Sequence, residues 1–273
     1  MSGTGEKKLT FWDHLEELRW SLLRIAIVLA IFMVAFFFIM PWLFDNFILA
    51  PCKSDFFLYR YICKITSGIS IFPDFCNSDF HVKLININLA SQFLIHVSTS
   101  FWFGIIIIFP YIIFETWKFI SPALYQNEKR NTKKAFTFGT VMFFIGCTIG
   151  YVMIFPVTLR FLAQYQISAE ITNQISLNSY MSNFMILILI MGLVFELPLV
   201  SWFLSELGLL TKDFFKKYRK YAIVICLVLA AIITPSGDPF TLFIVFFPLY
   251  LLYELSSFFV KAGKNKINSS NVN

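Results

Sequence analysis

The chain has 273 residues, 58% of them hydrophobic and 14% charged, with a formal net charge of +6. Soluble domains carry about a quarter charged residues, so this composition, with 35 Phe, excludes an ordinary water-solvated globule. The apolar residues fall in continuous runs and do not alternate, which excludes a membrane β-barrel and leaves transmembrane helices.

Residues 1–21 are expected to form a cytoplasmic amphipathic helix. Phe11, Leu15, Leu18 and Leu22 share one face, and Asp13, Glu16 and Glu17 the other. Thr10 and Asp13 are spaced as a capping pair. Such a helix lies along the membrane interface and projects Glu17 at headgroup level; an ordinary solvated face would use the same residues. The first spanning run is 22–40, too long and too far along for a cleavable signal, with no small-x-small site after it.

Residues 41–92 make an external loop long enough to fold as a cap. Its cysteines, Cys52, Cys63 and Cys76, allow three single pairings with one thiol left over, and an oxidising compartment permits one disulfide. The second span, 93–116, leads into W-K-F-I-S-P-A-L-Y-Q-N-E-K-R at 117–130. There Glu128 stands among basic residues; pairing with Lys129 or Arg130, worth about 0–1 kcal/mol when exposed, is the plain alternative to a functional role. The third span, 135–155, holds Gly146 and Gly150, spaced for close helix approach.

The fourth span, 184–204, contains F-E-L-P with Glu196 deep in the run. An ionisable group at that depth marks either function or a buried partner on a neighbouring helix. Pro198 is expected to bend the helix and free a carbonyl. The fifth span, 221–233, is 13 residues long, about 20 Å at 1.5 Å per residue, against a hydrocarbon core of about 30 Å. The sixth, 240–260, is interrupted by Glu254, and a tight turn at 234–239 joins the two. A basic tail, 261–273, follows.

Most of the 22 Lys and Arg residues fall in alternate polar segments. By the positive-inside rule both termini are cytoplasmic and the helix count is even, at six. The whole chain reads as one multi-pass membrane domain. It contains no G-x-x-x-x-G-K-[ST] loop, H-E-x-x-H helix or G-x-S-x-G elbow. His14, His81 and His96 are scattered without metal-ligand spacing. The basic residues follow the topology and not a nucleic-acid surface. No enzyme activity, metal, cofactor or nucleic-acid partner is expected. A secondary transporter of a small solute is the alternative class, marked by internal repeats and several polar groups at mid-membrane depth.

Five motifs in register carry a resemblance: F-W-D-H-L-E-E-L-R at 11–19, the loop 119–130, F-E-L-P at 195–198, T-P-S-G-D-P-F at 234–240 and P-L-Y-L-L-Y-E at 248–254. Together they resemble the TatC family, the large subunit of the twin-arginine protein translocase. The resemblance implies an all-α bundle of six helices, shaped like a cupped hand or glove, with short helices five and six. It implies a receptor for signal peptides bearing paired arginines on folded precursors, exported across the bacterial inner membrane with the proton gradient. It further implies TatA- and TatB-type single-span partners, and homo-oligomers within the complex. The family's receptor carboxylates match Glu17 and Glu128, with supporting positions at Leu15, Leu18, Arg19, Phe119, Pro122, Leu124, Tyr125 and Arg130. Its intramembrane glutamate matches Glu196, a polar site for a partner helix, and its external positions match Pro51, Pro235 and Asp238. Two adjacent guanidiniums ask for two carboxylate acceptors at one depth, a geometry lysine cannot copy. This chain departs from the pattern in having Ser21 where a second basic residue is common, Ser236 and Gly237 within the turn, and Leu242 where a glutamine is common. Its first external loop is also longer than usual.

Overall fold

Long apolar stretches have nowhere to satisfy their backbone groups in lipid except within themselves, and the chain answers with helices almost throughout. The computed structural model describes residues 11–66, 80–120, 129–168, 173–206, 208–234 and 239–260. The helices are α1 (Phe11–Leu43), α2 (Phe57–Thr66), α3 (Ser91–Ile120), α4 (Lys129–Ile149), α5 (Phe155–Gln164), α6 (Leu177–Val194), α7 (Leu197–Glu206), α8 (Lys212–Ile233) and α9 (Pro239–Phe259). Two short strands, β1 (Leu84–Ile85) and β2 (Ile175–Ser176), pair in parallel with Leu84 opposite Ile175.

Among the described residues, five stretches are long and apolar enough to cross a membrane: Leu15–Cys52, Ser91–Phe119, Phe136–Gln164, Leu177–Glu206 and Thr241–Phe258. α8 supplies the sixth run. Its opening turns carry Lys212, Lys216, Lys217, Arg219 and Lys220, which leaves the short apolar length read from the sequence. The chain is therefore an all-α, six-span membrane protein.

Residues 1–10 of the expected amphipathic helix lie outside the described residues, and from Phe11 α1 runs unbroken for 33 residues into the first span, about 50 Å. No Gly or Pro lies between Phe11 and Met40, so nothing ends the helix at the polar-to-apolar boundary. The fourth run, in contrast, is two helices. Pro198 has no N–H for the carbonyl of Val194, and the helix breaks into a turn at Phe195 and Glu196 between α6 and α7.

The chain divides into two compact units. The first joins Met1–Leu49 with Asn88–Thr140. At its centre α1 packs on α3: a Cβ on Gly104 would lie 3.2 Å from Leu29, and Phe36 and Phe103 meet at 5.8 Å between ring centres. His96 stacks on Phe37 at 4.1 Å, and its Nε2 donates to the Phe37 carbonyl at 2.8 Å.

The second unit joins Ala50–Ile87 with Val141–Asn273. Gly146 and Gly150 let α4 and the π-helical turn after it (Gly150–Ile154) approach α6 closely. A Cβ on Gly146 would stand 2.5 Å from the Met191 carbonyl oxygen, and one on Gly192 would stand 2.7 Å from Cys147 Sγ. The expected close approach is thus a packing contact within this unit. The π-helical turn adjoins α5, which carries Pro156 in its first turn; a residue without an N–H is accommodated by such a widened turn.

Candidate functional site

α1 presents Glu17, Ser21 and Arg24 at intervals of four and three residues, one face of a helix. Ser21 is buried, while Glu17 and Arg24 are half-buried. The facing helix α3 carries Tyr111 and Glu115 one turn apart. Arg24 Nε donates to Glu115 Oε1 at 3.1 Å and Arg24 Nη2 to Oε2 at 2.7 Å, a two-pronged pair. Nη2 also donates to Ser21 Oγ at 2.9 Å, and the Tyr111 hydroxyl donates to Glu115 Oε1 at 3.1 Å. The Glu115 side chain is only 4% exposed, so its charge is matched where it is most costly to bury.

Glu17 stands two turns nearer the N-terminus than Arg24. Among the described residues its carboxylate has no hydrogen bond or ion pair. Leu15 and Arg19 are exposed and Leu18 is half-buried beside it. On α3, Phe119 is half-buried one turn beyond Glu115. Glu128, Pro122, Leu124 and Tyr125 lie outside the described residues, and Arg130 is described only as backbone, in α4. The structure thus places Glu17, Leu15, Leu18, Arg19 and Phe119 in one unit and leaves the Glu128 part of the constellation undrawn.

In the second unit Glu196 sits at the break between α6 and α7, 8% exposed. Neither of its carboxyl oxygens has a hydrogen-bond partner among the described residues. Glu254, in the sixth apolar run, is different: Arg219 Nη2 donates to its Oε2 at 2.6 Å and Tyr250 to its Oε1 at 2.8 Å.

The described part of the loop between α1 and α3 folds around a buried cation. Arg160 of α5 is 0% exposed, with its guanidinium 4.8 Å above the Tyr59 ring and 4.6 Å above the Phe80 ring. The Tyr59 hydroxyl reaches the Pro51 carbonyl at 2.8 Å and the Pro156 carbonyl at 3.2 Å. Pro51 is therefore buried where the loop begins; Pro235 and Asp238 lie outside the described residues. Of the loop cysteines, Cys63 is disulfide-bonded and Cys52 is a free, buried thiol, which removes the two pairings that used Cys52. Cys147 and Cys226 are free and buried, as packing residues are.

Sequence reasoning missed two members of these clusters. Glu115 closes the second apolar run just before Lys118, where it passes for a boundary residue. Arg160 lies just past the third span, between apolar neighbours in F-P-V-T-L-R-F-L, where the Lys/Arg bias makes it pass for one more topology-setting cation.

The fold and this arrangement define a helical membrane protein whose notable groups are unengaged carboxylates, with no metal-binding group of His, Cys, Asp or Glu among the described residues. The family model for the Sec-independent protein translocase protein (TatC) matches residues 13–248. A Sec-independent protein translocase protein TatC of Blattabacterium sp. subsp. Periplaneta americana is 35% identical over 266 residues, covering 95% of this chain and 98% of the relative. That of Helicobacter pylori strain 26695 is 38% identical over 192 residues, covering 70% and 75%. The crystal structure of the twin-arginine translocase receptor TatC superposes with a TM-score of 0.65 at 30% identity, covering 90% of this chain and 97% of that one. The chain belongs to the TatC family and is a component of the Sec-independent, twin-arginine protein translocase. Nothing in these matches favours the small-solute transporter.

Proposed function

We propose that this chain is the signal-peptide receptor and core subunit of its translocase, and that Glu17 and Glu128 each accept one of the paired arginines. The observation that carries the reading is the half-exposed Glu17 carboxylate, unengaged among the described residues on a helix whose nearby cation, Arg24, is already bound to Glu115. A carboxylate left open beside a basic residue suits an incoming guanidinium fork. Leu15, Leu18, Arg19, Phe119, Pro122, Leu124, Tyr125 and Arg130 line the same receptor surface. Glu196 receives a polar group of a partner helix, the partners being TatA- and TatB-type single-span subunits around a homo-oligomeric core. Pro51, Pro235 and Asp238 act on the external side. The chain spans the bacterial inner membrane with both termini cytoplasmic, draws on the proton gradient, and is a transport subunit without catalytic chemistry or cofactor.

The test is export of a folded reporter in cells whose own large subunit is replaced by this chain with its native small partners. An Arg-Arg signal is expected to be exported and a Lys-Lys signal to be retained. Glu17→Ala and Glu128→Ala should each abolish export while the protein accumulates normally in the membrane. Undiminished export in both variants would sink the assignment.

A further inference from the structure

The Arg24–Glu115 pair has no part in the receptor chemistry above, yet it lies directly beneath it. Seven residues separate Glu17 from Arg24, just under two helical turns and about 10 Å along the axis. Helical side chains lean toward the N-terminus, and Arg24 does so here, since it reaches Ser21 Oγ three residues back at 2.9 Å. A guanidinium on that long stem, 37% exposed, is within reach of a carboxylate two turns along the same face. Arg19, two residues from Glu17, points to a different face. Arg24 is thus the cation of α1 best placed to occupy Glu17. What prevents this is Glu115, which holds both prongs of the fork while Tyr111 steadies one of its oxygens.

We propose that Glu115 is a positioning residue that keeps the receptor carboxylate vacant by binding Arg24, an internal arginine that would otherwise compete with the signal peptide for Glu17. This rests on the reading of Glu17 as an arginine acceptor. It assigns a use to a buried carboxylate that a simple clamp between α1 and α3 would not need. An apolar pair of similar volume clamps two helices as well or better, because burying charge costs more than it returns unless the geometry is ideal.

The experiment measures binding of a synthetic twin-arginine signal peptide, with a Lys-Lys version as control, to the full chain assembled with its small partners in lipid nanodiscs. The wild type should prefer Arg-Arg. Glu115→Gln removes the charge and one prong, releases Arg24, and should weaken Arg-Arg binding about fivefold, the factor of a modest ion pair acting as competitor. The double variant Arg24→Ala with Glu115→Gln removes the competitor without putting an apolar clamp in its place, and should restore binding to within about twofold of wild type. A clamp role predicts the reverse, with the double variant at least as impaired as the single. Wild-type affinity in Glu115→Gln, or no recovery in the double variant, would overturn the proposal. If Glu115→Gln does not accumulate, Arg24→Lys carries the test. Its ammonium cannot hold both oxygens, so a loss of about twofold is expected and no loss would refute it. A wild type without Arg-Arg preference would instead remove the reading of Glu17 itself.

Discussion

Replacing Tyr59 by Phe removes one oxygen from the cap formed by the loop between α1 and α3 and leaves every ring in place, so it isolates the hydroxyl's linkage. Tyr59 is 1% exposed, and its hydroxyl serves two carbonyls, Pro51 at 2.8 Å and Pro156 at 3.2 Å. The stronger bond, to Pro51, is worth about 1 kcal/mol net, and leaving a buried acceptor unmet adds about 1–3 kcal/mol. The Pro156 carbonyl is approached at a longer distance and contributes little more. The ring still lies under Arg160, so the cation–π contact persists. A loss of about 2–3 kcal/mol is expected in reversible denaturant unfolding of the purified protein. Burial holds the Tyr59 phenol well above its ordinary pKa. A raised pKa keeps its contribution whole below the unfolded-state value of about 10, so the gap between variant and wild type should stay constant from about pH 5 to pH 9. A gap below about 0.5 kcal/mol, or one that closes within that range, would refute the linkage.

Glu196→Leu should leave stability unchanged or raise it by about 1–2 kcal/mol, because it replaces a buried carboxyl without a hydrogen-bond partner among the described residues. The same variant should weaken crosslinking to the small subunits, and unchanged crosslinking would make Glu196 a structural acid. Gly146→Ala places a methyl 2.5 Å from a backbone oxygen, which cannot yield as a side chain can. About 2–3 kcal/mol should be lost, read as a lower melting temperature in detergent, while Gly208→Ala, with open space around it, pays only for its positive φ. Cys63→Ser, or mild reductant on the wild type, should cost about 2–4 kcal/mol and speed proteolysis of the cap without changing assembly of the spans.

The spans were legible because lipid makes the code coarse: run length and the Lys/Arg bias suffice. The break before α7 was also legible, since Pro198 withdraws a donor whatever surrounds it. The run of α1 from Phe11 into the span has the same kind of cause, because a polar-to-apolar change of solvent is no helix stop when no Gly or Pro accompanies it. Of the candidate site, the face bearing Glu17 follows from helical spacing. The partner of Arg24 does not, since Glu115 is 91 residues away in sequence. By sequence alone Arg24 is one of many cations at the span ends, and Glu115 sits at the fringe of a span. Arg160 hid for the opposite reason: its partners are aromatic rings, and nothing in a sequence singles out two rings among so many.

Depth alone is therefore a poor marker of function in this chain. Among the described residues, Glu115, Glu196, Glu254 and Arg160 lie within or beside apolar stretches, and three of these have visible compensation. Glu115 has Arg24, Glu254 has Arg219, and Arg160 has the faces of Tyr59 and Phe80. Each compensated group meets a partner on another segment of the chain. Glu196 is the exception among the described residues, a carboxyl at a helix break with neither of its oxygens hydrogen-bonded. A group that costs stability and ties nothing among the described residues fits the proposed site for a partner helix. That contrast, more than its position at mid-membrane, distinguishes Glu196 from the other three. It is also why a variant that loses partner assembly while gaining stability would be more informative there than simple loss of export.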